Sequence, residues 1–536
     1  MHLKITKILS ELPYLLLTII TVLAVVFIRI NLLETPLERD EGEYAYMGQL
    51  LLEGFPPYLH AYTMKLPGTS MIYAVFMSFF GETVSGIHLG LLIINIISII
   101  LVWAIAKDIF DLKIAYASAI TYALLSLSQN VLGLFAHATN FAAVFGLSGI
   151  LLILKYISNE RRLYLLVSGI CFGLAIMMKQ HAIFLEIFAV YYLLHKYFSE
   201  RLRKFKTFIC ILLVGIGTML PIMITVTWMA LSGTFSSFWT WVVIYSKDYL
   251  NESNLLLGTI RLTFFISECL LNQPLIWIFA FLGLLLLHAR QKHEINSKFI
   301  FWFLIASLLT TCPGLYFRPH YFVTVIPPVA ILAGFFICRC NLLFDKKFNL
   351  VSSNNFSIIL LAFFIIFSLY SERNNYFIYS NDQLVKKIYG KNPFVESKII
   401  SEYIKKNTSP KDLVAIIGSE PQILFYSKRI SSTGYIYTYG LKEINKNSKR
   451  MQEEMINEIE SRPPILIIEI NNINSWGYEN FPPALLKSWL NKFLAKDYEL
   501  VAVMNVDPQE ISQLQTNSTK LIITQPDNFI NIWRKR

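Results

Sequence analysis

The sequence predicts an α-helical polytopic membrane protein of about eleven transmembrane helices, followed by a C-terminal soluble α/β domain. Three observations predict it. Of the 536 residues, 55% are hydrophobic and only 15% charged, where a soluble domain is about half apolar and a quarter charged. Apolar runs long enough to cross a bilayer recur from Leu12 to Tyr370. Beyond Tyr370 the composition becomes mixed and charged, over a length that can build its own core. The domain reading is therefore 1–370 for the membrane part, with an extramembrane loop at 34–83, and 371–536 for the α/β domain.

The spans are read at roughly 12–33, 84–106, 114–129, 138–154, 163–178, 182–195, 208–231, 273–289, 299–312, 321–338 and 350–370. The start, "MHLKITKILSELPYLLLTIITVLAVVFIRI", is basic and then apolar with no small-residue cleavage site, so it reads as a retained first helix. Basic clusters fall at every second junction: "KITK", Lys107 with Lys113, "KYISNERR", "HKYFSERLRKFK", "ARQKHEINSK" and "CRCNLLFDKK". Those junctions are assigned to the cytoplasm. The N-terminus is then cytoplasmic, and the 34–83 loop and the C-terminal domain lie on the outer side of a cell (inner or cytoplasmic) membrane. Topology also accounts for the net charge of +11, so no nucleic-acid partner is inferred; the partner is the bilayer. The segment between Arg162 and Lys196 has about 33 residues with basic clusters at both ends. An even number of crossings is required there, which places a reversal at "MMKQHAI" between two short helices.

The six cysteines lie mostly inside apolar runs, none of them in the tail, and show neither a disulfide framework nor a metal spacing. In the tail, "ESKIISEYIKKN", "EPQILFYSK" and "ALLKSWLNKFLAK" read as helices, and "LVAIIGS", "PPILIIEI", "YELVAVMNV" and "KLIITQ" as strands. "IIGSEP" could seat an anion at a helix start but lacks a phosphate-loop pattern, so it reads as fold. The segment 231–272 is read as an outer loop whose Trp239, Trp241 and Tyr245 either stack on a sugar or anchor at the interface. Glu186, inside an apolar run, either faces a polar cavity or pairs with another helix.

On this topology the unusual polar residues gather on the outer side. The first loop supplies Glu38, Arg39, Asp40, Glu41, Glu43, Tyr44 and Lys65. Later outer junctions add His137 and Asn140, then Lys179, Gln180 and His181, then Arg318, His320 and Tyr321. Ionisable groups at membrane depth are costly and usually functional. As a helix, "RDEGEYAYMGQLLLEG" puts Asp40, Glu43 and Tyr44 on one face, with Glu41 about a quarter-turn away. Asp40 can also serve as a cap. "EGFPPYLHAYTMKLPG" then returns Lys65 after Gly and Pro turns, and a lysine can bind phosphate as a point charge. Lys179 reads either as part of this set or as a snorkelling anchor. The set suggests chemistry on a charged group at the headgroup level.

These stretches carry a resemblance. "RDEGEYAYMGQLLLEGFPPY", then "KLPG" and "FG" at Phe80–Gly81, resembles the first outer loop of polytopic glycosyltransferases of the GT-C type, relatives of protein O-mannosyltransferases and of the lipid A aminoarabinose transferase. "GICFGLAIMMKQHAIF" is similar to that superfamily's Gly-rich helix ending in Lys, and "RPHYFVTVIPPVAILAG" to its late Tyr before Pro-Pro. The resemblance covers roughly residues 1–370.

It implies transfer of a sugar from a polyprenyl-phosphate carrier to a hydroxyl acceptor (glycan, lipid or protein), with inversion, in a bacterial or archaeal type of enzyme. By the same resemblance the catalytic residues are Asp40, the base, and Glu41, its acidic neighbour. Lys65 lies near the donor phosphate, with Tyr44, His137, Lys179, Arg318, His320 and Tyr321 in substrate binding. Relatives often carry Arg where this chain has Glu43, and the aminoarabinose enzyme has Glu where this chain has Met64. The sequence requires no cofactor; a divalent cation (Mg or Mn) between carboxylate and phosphate would assist. A transporter or flippase would show internal repeats and polar residues near the midplane, and neither is evident. A non-catalytic, partner-binding member would leave Asp40 and Lys65 dispensable.

Overall fold

A computed structural model of the chain describes residues 2–199, 204–250, 254–291, 295–343, 353–442, 447–476, 483–507, 510, 512–516, 524 and 527–536. The chain forms two compact units. One comprises Met1–Leu32, His88–Thr227 and Tyr249–Ile378; the other comprises Leu33–Ile87, Trp228–Asp248 and Tyr379–Arg536.

The first unit is helical. Among the described residues, six helices of the chain are long and apolar enough to cross a membrane: Leu9–Asn31, Val84–Ile109, Ala138–Asn159, Lys206–Leu231, Leu255–Asn272 and Pro319–Arg339. Shorter apolar helices, among them Leu112–Leu125, Leu163–Met178 and Ser297–Leu309, fill out the set. Phe208, Met223 and Ile224 stand exposed along one of the long helices, as lipid-facing residues do where tails replace water as solvent. The polytopic membrane fold expected from the sequence is what the chain adopts.

Close helix packing explains the Gly-rich motif. A Cβ on Gly169 would meet the Val214 carbonyl at 2.1 Å, and one on Gly173 the Thr218 carbonyl at 2.3 Å. Two small residues four apart thus let the Leu163–Met178 helix lie against the backbone of Lys204–Leu231. The helix stops at Met178 and a new one starts at Ile183 after a 3₁₀ turn at Gln180–Ala182, so the chain reverses at "MMKQHAI". Glu186 accepts a hydrogen bond from Thr218 Oγ1 at 2.7 Å, a partner on another helix. The Leu255–Asn272 helix occupies part of the segment expected to be a loop. Arg261 and Glu268 interrupt its apolar run in the sequence.

The second unit holds the α/β domain. Strands β1 (Val414–Ile417), β2 (Leu466–Asn472), β3 (Tyr498–Asn505), β4 (Leu514–Thr516) and β5 (Asn528–Lys535) form one sheet in the order β1-β2-β5-β3-β4. β1 and β2 run parallel, with Ile416 opposite Ile468, and the other pairs are antiparallel. β5 was not expected, since Asn528, Asn531 and Arg534 dilute its apolar pattern. The expected strand "KLIITQ" lies, apart from Thr524, outside the described residues.

Two earlier segments, Leu33–Ile87 and Trp228–Asp248, join this domain. Trp241 and Tyr245, on a π-helical turn Trp239–Tyr245, are buried in one core with Ile417, Met455, Ile459, Trp476 and Leu490. Of the three aromatics read from the sequence, only Trp239 stays exposed. The Arg39–Leu52 helix packs on the domain through Gly42, where a Cβ would lie 2.6 Å from the Gln422 side chain.

Candidate active site

The Arg39–Leu52 helix begins with a capping box. Glu38 accepts from the Glu41 N–H at 2.9 Å, and Glu41 Oε2 accepts from the Glu38 N–H at 3.2 Å. Glu41 is fully buried in this start, which places its carboxylate in the helix cap. Asp40, Glu43 and Tyr44 share the next face, at i, i+3 and i+4.

The returning loop delivers the lysine. Tyr58, itself at φ 64, donates to the Lys65 carbonyl at 2.7 Å. Lys65 Nζ donates to Asp40 Oδ1 at 2.9 Å and to Glu43 Oε2 at 2.6 Å, and lies 4.5 Å from the centre of the Tyr44 ring. The Thr63 hydroxyl donates to the other Glu43 oxygen. The members differ in access: the side chains of Lys65 and Asp40 are 25% and 19% exposed, that of Glu43 only 2%.

The α/β domain completes this cluster. Tyr437 donates its hydroxyl to Asp40 Oδ1 at 3.0 Å, and its ring centre is 5.7 Å from Lys65 Nζ. Arg39, next to Asp40, donates to Glu420 and to the Ser419 carbonyl at 2.5 Å each, to Tyr439 Oη at 2.9 Å and to Asn392 at 3.1 Å. These bonds fix the first turn of the helix, and with it Asp40, to the domain.

The charges are coupled. Burial opposes the charged form of Lys65, but Asp40 and Glu43 outweigh it and hold its pKa well above the ordinary lysine value. One ammonium cannot compensate two carboxylates fully. Burial pushes Glu43 up, and the negative charge of Asp40 adds to it against the pull of Lys65. Burial likewise raises the Tyr437 phenol, helped by Asp40 and Glu43, which keeps it a hydrogen-bond donor. A divalent cation at these two carboxylates would have to displace the Lys65 ammonium, and a phosphate approaching Lys65 must compete with them.

The other expected residues belong to the helical unit. His137 and His320 stack with ring centres 4.1 Å apart, and Thr139 Oγ1 donates to the His320 carbonyl at 2.7 Å. Lys179 Nζ lies 3.4 Å from the centre of the Tyr321 ring. Arg318 faces Tyr316 instead, at 5.7 Å, together with Arg261 at 4.9 Å. The structure thus unites Asp40, Tyr44 and Lys65 in one cluster, pairs His137 with His320 and Lys179 with Tyr321, and sets Arg318 beside a different ring.

Tyr437 and Arg261 were not expected from the sequence, and Glu43, expected on the Asp40 face, was given no role there. The i, i+3 spacing already put Glu43 beside Asp40, at a position where relatives often carry Arg. Nothing local in "YIYTYG" distinguishes Tyr437 from its neighbours.

The fold, a polytopic helical unit with a C-terminal α/β domain, is shared with solved structures of other proteins. It is similar to ArnT from Cupriavidus metallidurans bound to undecaprenyl phosphate, at 15% identity and a TM-score of 0.62, over 94% of this chain and 98% of that one. It is similar as well to the oligosaccharyltransferase AglB from Archaeoglobus fulgidus. In complex with an inhibitory peptide and a dolichol-phosphate that protein aligns at 12% identity and a TM-score of 0.51, over 95% of this chain and 75% of that one. In complex with Zn and sulfate it aligns at 12% identity and a TM-score of 0.53, over 95% and 74%. In sequence, residues 64–228 match the family described as dolichyl-phosphate-mannose-protein mannosyltransferase. No curated protein matches the chain in sequence.

Proposed function

We propose that this protein is an inverting glycosyltransferase that moves a sugar from a polyprenyl-phosphate carrier to a hydroxyl acceptor. The proposed setting is the outer face of a cell membrane, in the making of an envelope glycan, glycolipid or glycoprotein. The observation that carries the reading is the Lys65–Asp40–Glu43 cluster, because its two carboxylates are unequal. Asp40 is partly open and Glu43 closed behind Lys65, so Asp40 is the carboxylate an acceptor can reach.

The chemistry follows from that arrangement. The acceptor oxygen gives its proton to Asp40 as it bonds to the anomeric carbon, and the bond from that carbon to the phosphate oxygen breaks with its electron pair leaving on the phosphate. One base suffices, since a phosphate leaves without being protonated, unlike the sugar oxygen in a glycosidase. Lys65 and Tyr437 orient Asp40 and stabilise its charge; Glu43 holds Lys65; Glu41 holds the helix start. Lys179 and Arg318 are proposed to bind substrate, as the resemblance implies.

The test is turnover of a radiolabelled polyprenyl-phosphate sugar by purified protein. Wild type is expected to release the sugar from its carrier and Asp40→Asn to leave it attached while eluting as folded protein. Comparable turnover by both would sink the assignment of the base.

A further inference from the structure

Inside the helical unit, between the helices Leu112–Leu125 and Ala138–Asn159, the chain runs through a mostly buried turn over residues 126–137. A buried turn has no water to satisfy its backbone, so its carbonyls and amides need protein partners. Two ionisable residues that the reaction above leaves unused supply several of them.

Arg29 closes the neck of the turn. From the last turn of the first span, its Nη2 donates to the Ser126 carbonyl at 2.7 Å and to the Gly133 carbonyl at 2.9 Å. The two carbonyls converge because residue 133 is glycine: a Cβ there would lie 2.2 Å from the Ser126 oxygen. Between them stands Leu132 at φ 52, a left-handed conformation that leucine rarely adopts.

Glu372 holds the tip. Its Oε1 accepts from the Gln129 N–H at 3.3 Å, the Ser128 hydroxyl at 3.4 Å and Gln273 Nε2 at 3.2 Å. Asn375 donates to its other oxygen at 2.6 Å and to Gln129 Oε1 at 2.7 Å. Both Arg29 and Glu372 are buried, and among the described residues their hydrogen bonds go to neutral groups. Burying a charge without a counter-ion is costly, and such groups usually serve function.

The turn leads into His137. The Phe135 N–H donates to the Leu132 carbonyl at 3.1 Å, and the His137 N–H to the Phe135 carbonyl at 2.9 Å. Asn140 Nδ2 donates to the same Phe135 carbonyl at 3.1 Å. His137 is thereby seated, 2% exposed, against the His320 ring.

We infer that Arg29 and Glu372 are positioning residues: they clamp the turn at 126–133 and through it fix His137 on His320. This deepens the transferase reading and rests on it only for the part of His137 in substrate binding.

The experiment follows hydrogen exchange and labelling of His137 by diethyl pyrocarbonate in purified full-length protein, both read by mass spectrometry. In wild type both the turn and His137 are expected to be protected. Arg29→Met is expected to speed exchange at 126–137 and labelling of His137 at least about tenfold, since it leaves two buried carbonyls unpaired. Arg29→Lys should restore protection, because an ammonium can still donate to both carbonyls. Glu372→Gln, which turns one acceptor oxygen into a donor, should give a smaller rise in the same segment. In turnover of the polyprenyl-phosphate sugar, Arg29→Met should raise KM about tenfold with kcat nearly unchanged, the mark of lost substrate binding.

Unchanged exchange at 126–137 in both Arg29→Met and Glu372→Gln would overturn the inference. So would an equal rise in β2 and β5, a loosened turn with His137 still protected, or a KM equal to that of wild type. The labelling pattern in a wild type without turnover would support the clamp and sink the transferase reading.

Discussion

Two of the lysine–carboxylate clusters in the second unit, those of Lys65 and Lys386, differ in build. Lys386 and Glu396 form a pair whose side chains are 5% and 0% exposed, and the Lys386 ammonium is further satisfied by the Asp507 carbonyl at 2.5 Å. One cation meets one anion, out of reach of solvent. Lys65 instead faces two carboxylates, one of them open, beside the rings of Tyr44 and Tyr437. A balanced, closed pair stabilises position. An unbalanced, half-open cluster keeps one carboxylate partly exposed, and Lys65 and Glu43 titrate away from their ordinary values.

Mutations can break this comparison in either direction. The largest effect is expected from Asp40→Asn, with the transfer rate falling about 10²–10⁴-fold, the usual contribution of a general base. Thermal stability, followed alongside, should change little. Lys65→Met should lower the rate by about 10²–10³-fold, the scale of losing one preorganised charged donor. Glu43→Ala added to it should not restore turnover.

Lys386→Met should act in the opposite sense. Removing one partner of a closed pair leaves a buried charge and costs about 3–5 kcal/mol of stability. The rate per folded molecule should hold near wild type. Replacing both Lys386 and Glu396 by leucine should recover most of that loss, and denaturant unfolding of the two variants in detergent checks it. If Lys386→Met instead lost turnover in fully folded protein, the division between the clusters would be wrong.

Smaller effects sharpen the picture. Tyr437→Phe removes one hydrogen bond to Asp40, worth about 1 kcal/mol, and should slow transfer about fivefold with its pH profile displaced. Glu43 has a raised pKa in the fold and titrates near 4.5 otherwise. Its contribution to stability is therefore complete below pH 4.5 and is lost as pH rises through the raised folded value. Glu43→Gln should remove that part of the pH dependence. Melting temperatures from pH 4 to 8 should thus converge on, or cross toward, the variant's advantage as pH increases.

Much of this arrangement was legible in the residues. Apolar length and basic junctions gave the helical bundle, and Gly and Pro turns after "RDEGEYAYMGQLLLEG" brought Lys65 back to Asp40. Local spacing also contained Glu43. Helix Leu255–Asn272 was less visible because Arg261 and Glu268 sit in its apolar run. The clasp of Arg39 by Glu420 and the bond from Tyr437 join residues nearly 400 positions apart. Such contacts depend on how the domain docks, which periodicity does not encode. The buried fate of Trp241 and Tyr245 follows from the same docking: an aromatic at an interface and one in a core read alike in sequence.

The most direct test of the central claim separates the two carboxylates that share Lys65. Initial rates of sugar transfer from a radiolabelled polyprenyl phosphate are measured for purified Asp40→Asn and Glu43→Gln against wild type. The account predicts a fall of at least about 10²-fold for Asp40→Asn and a much smaller one for Glu43→Gln. A reversed order, or an active Asp40→Asn, would contradict it.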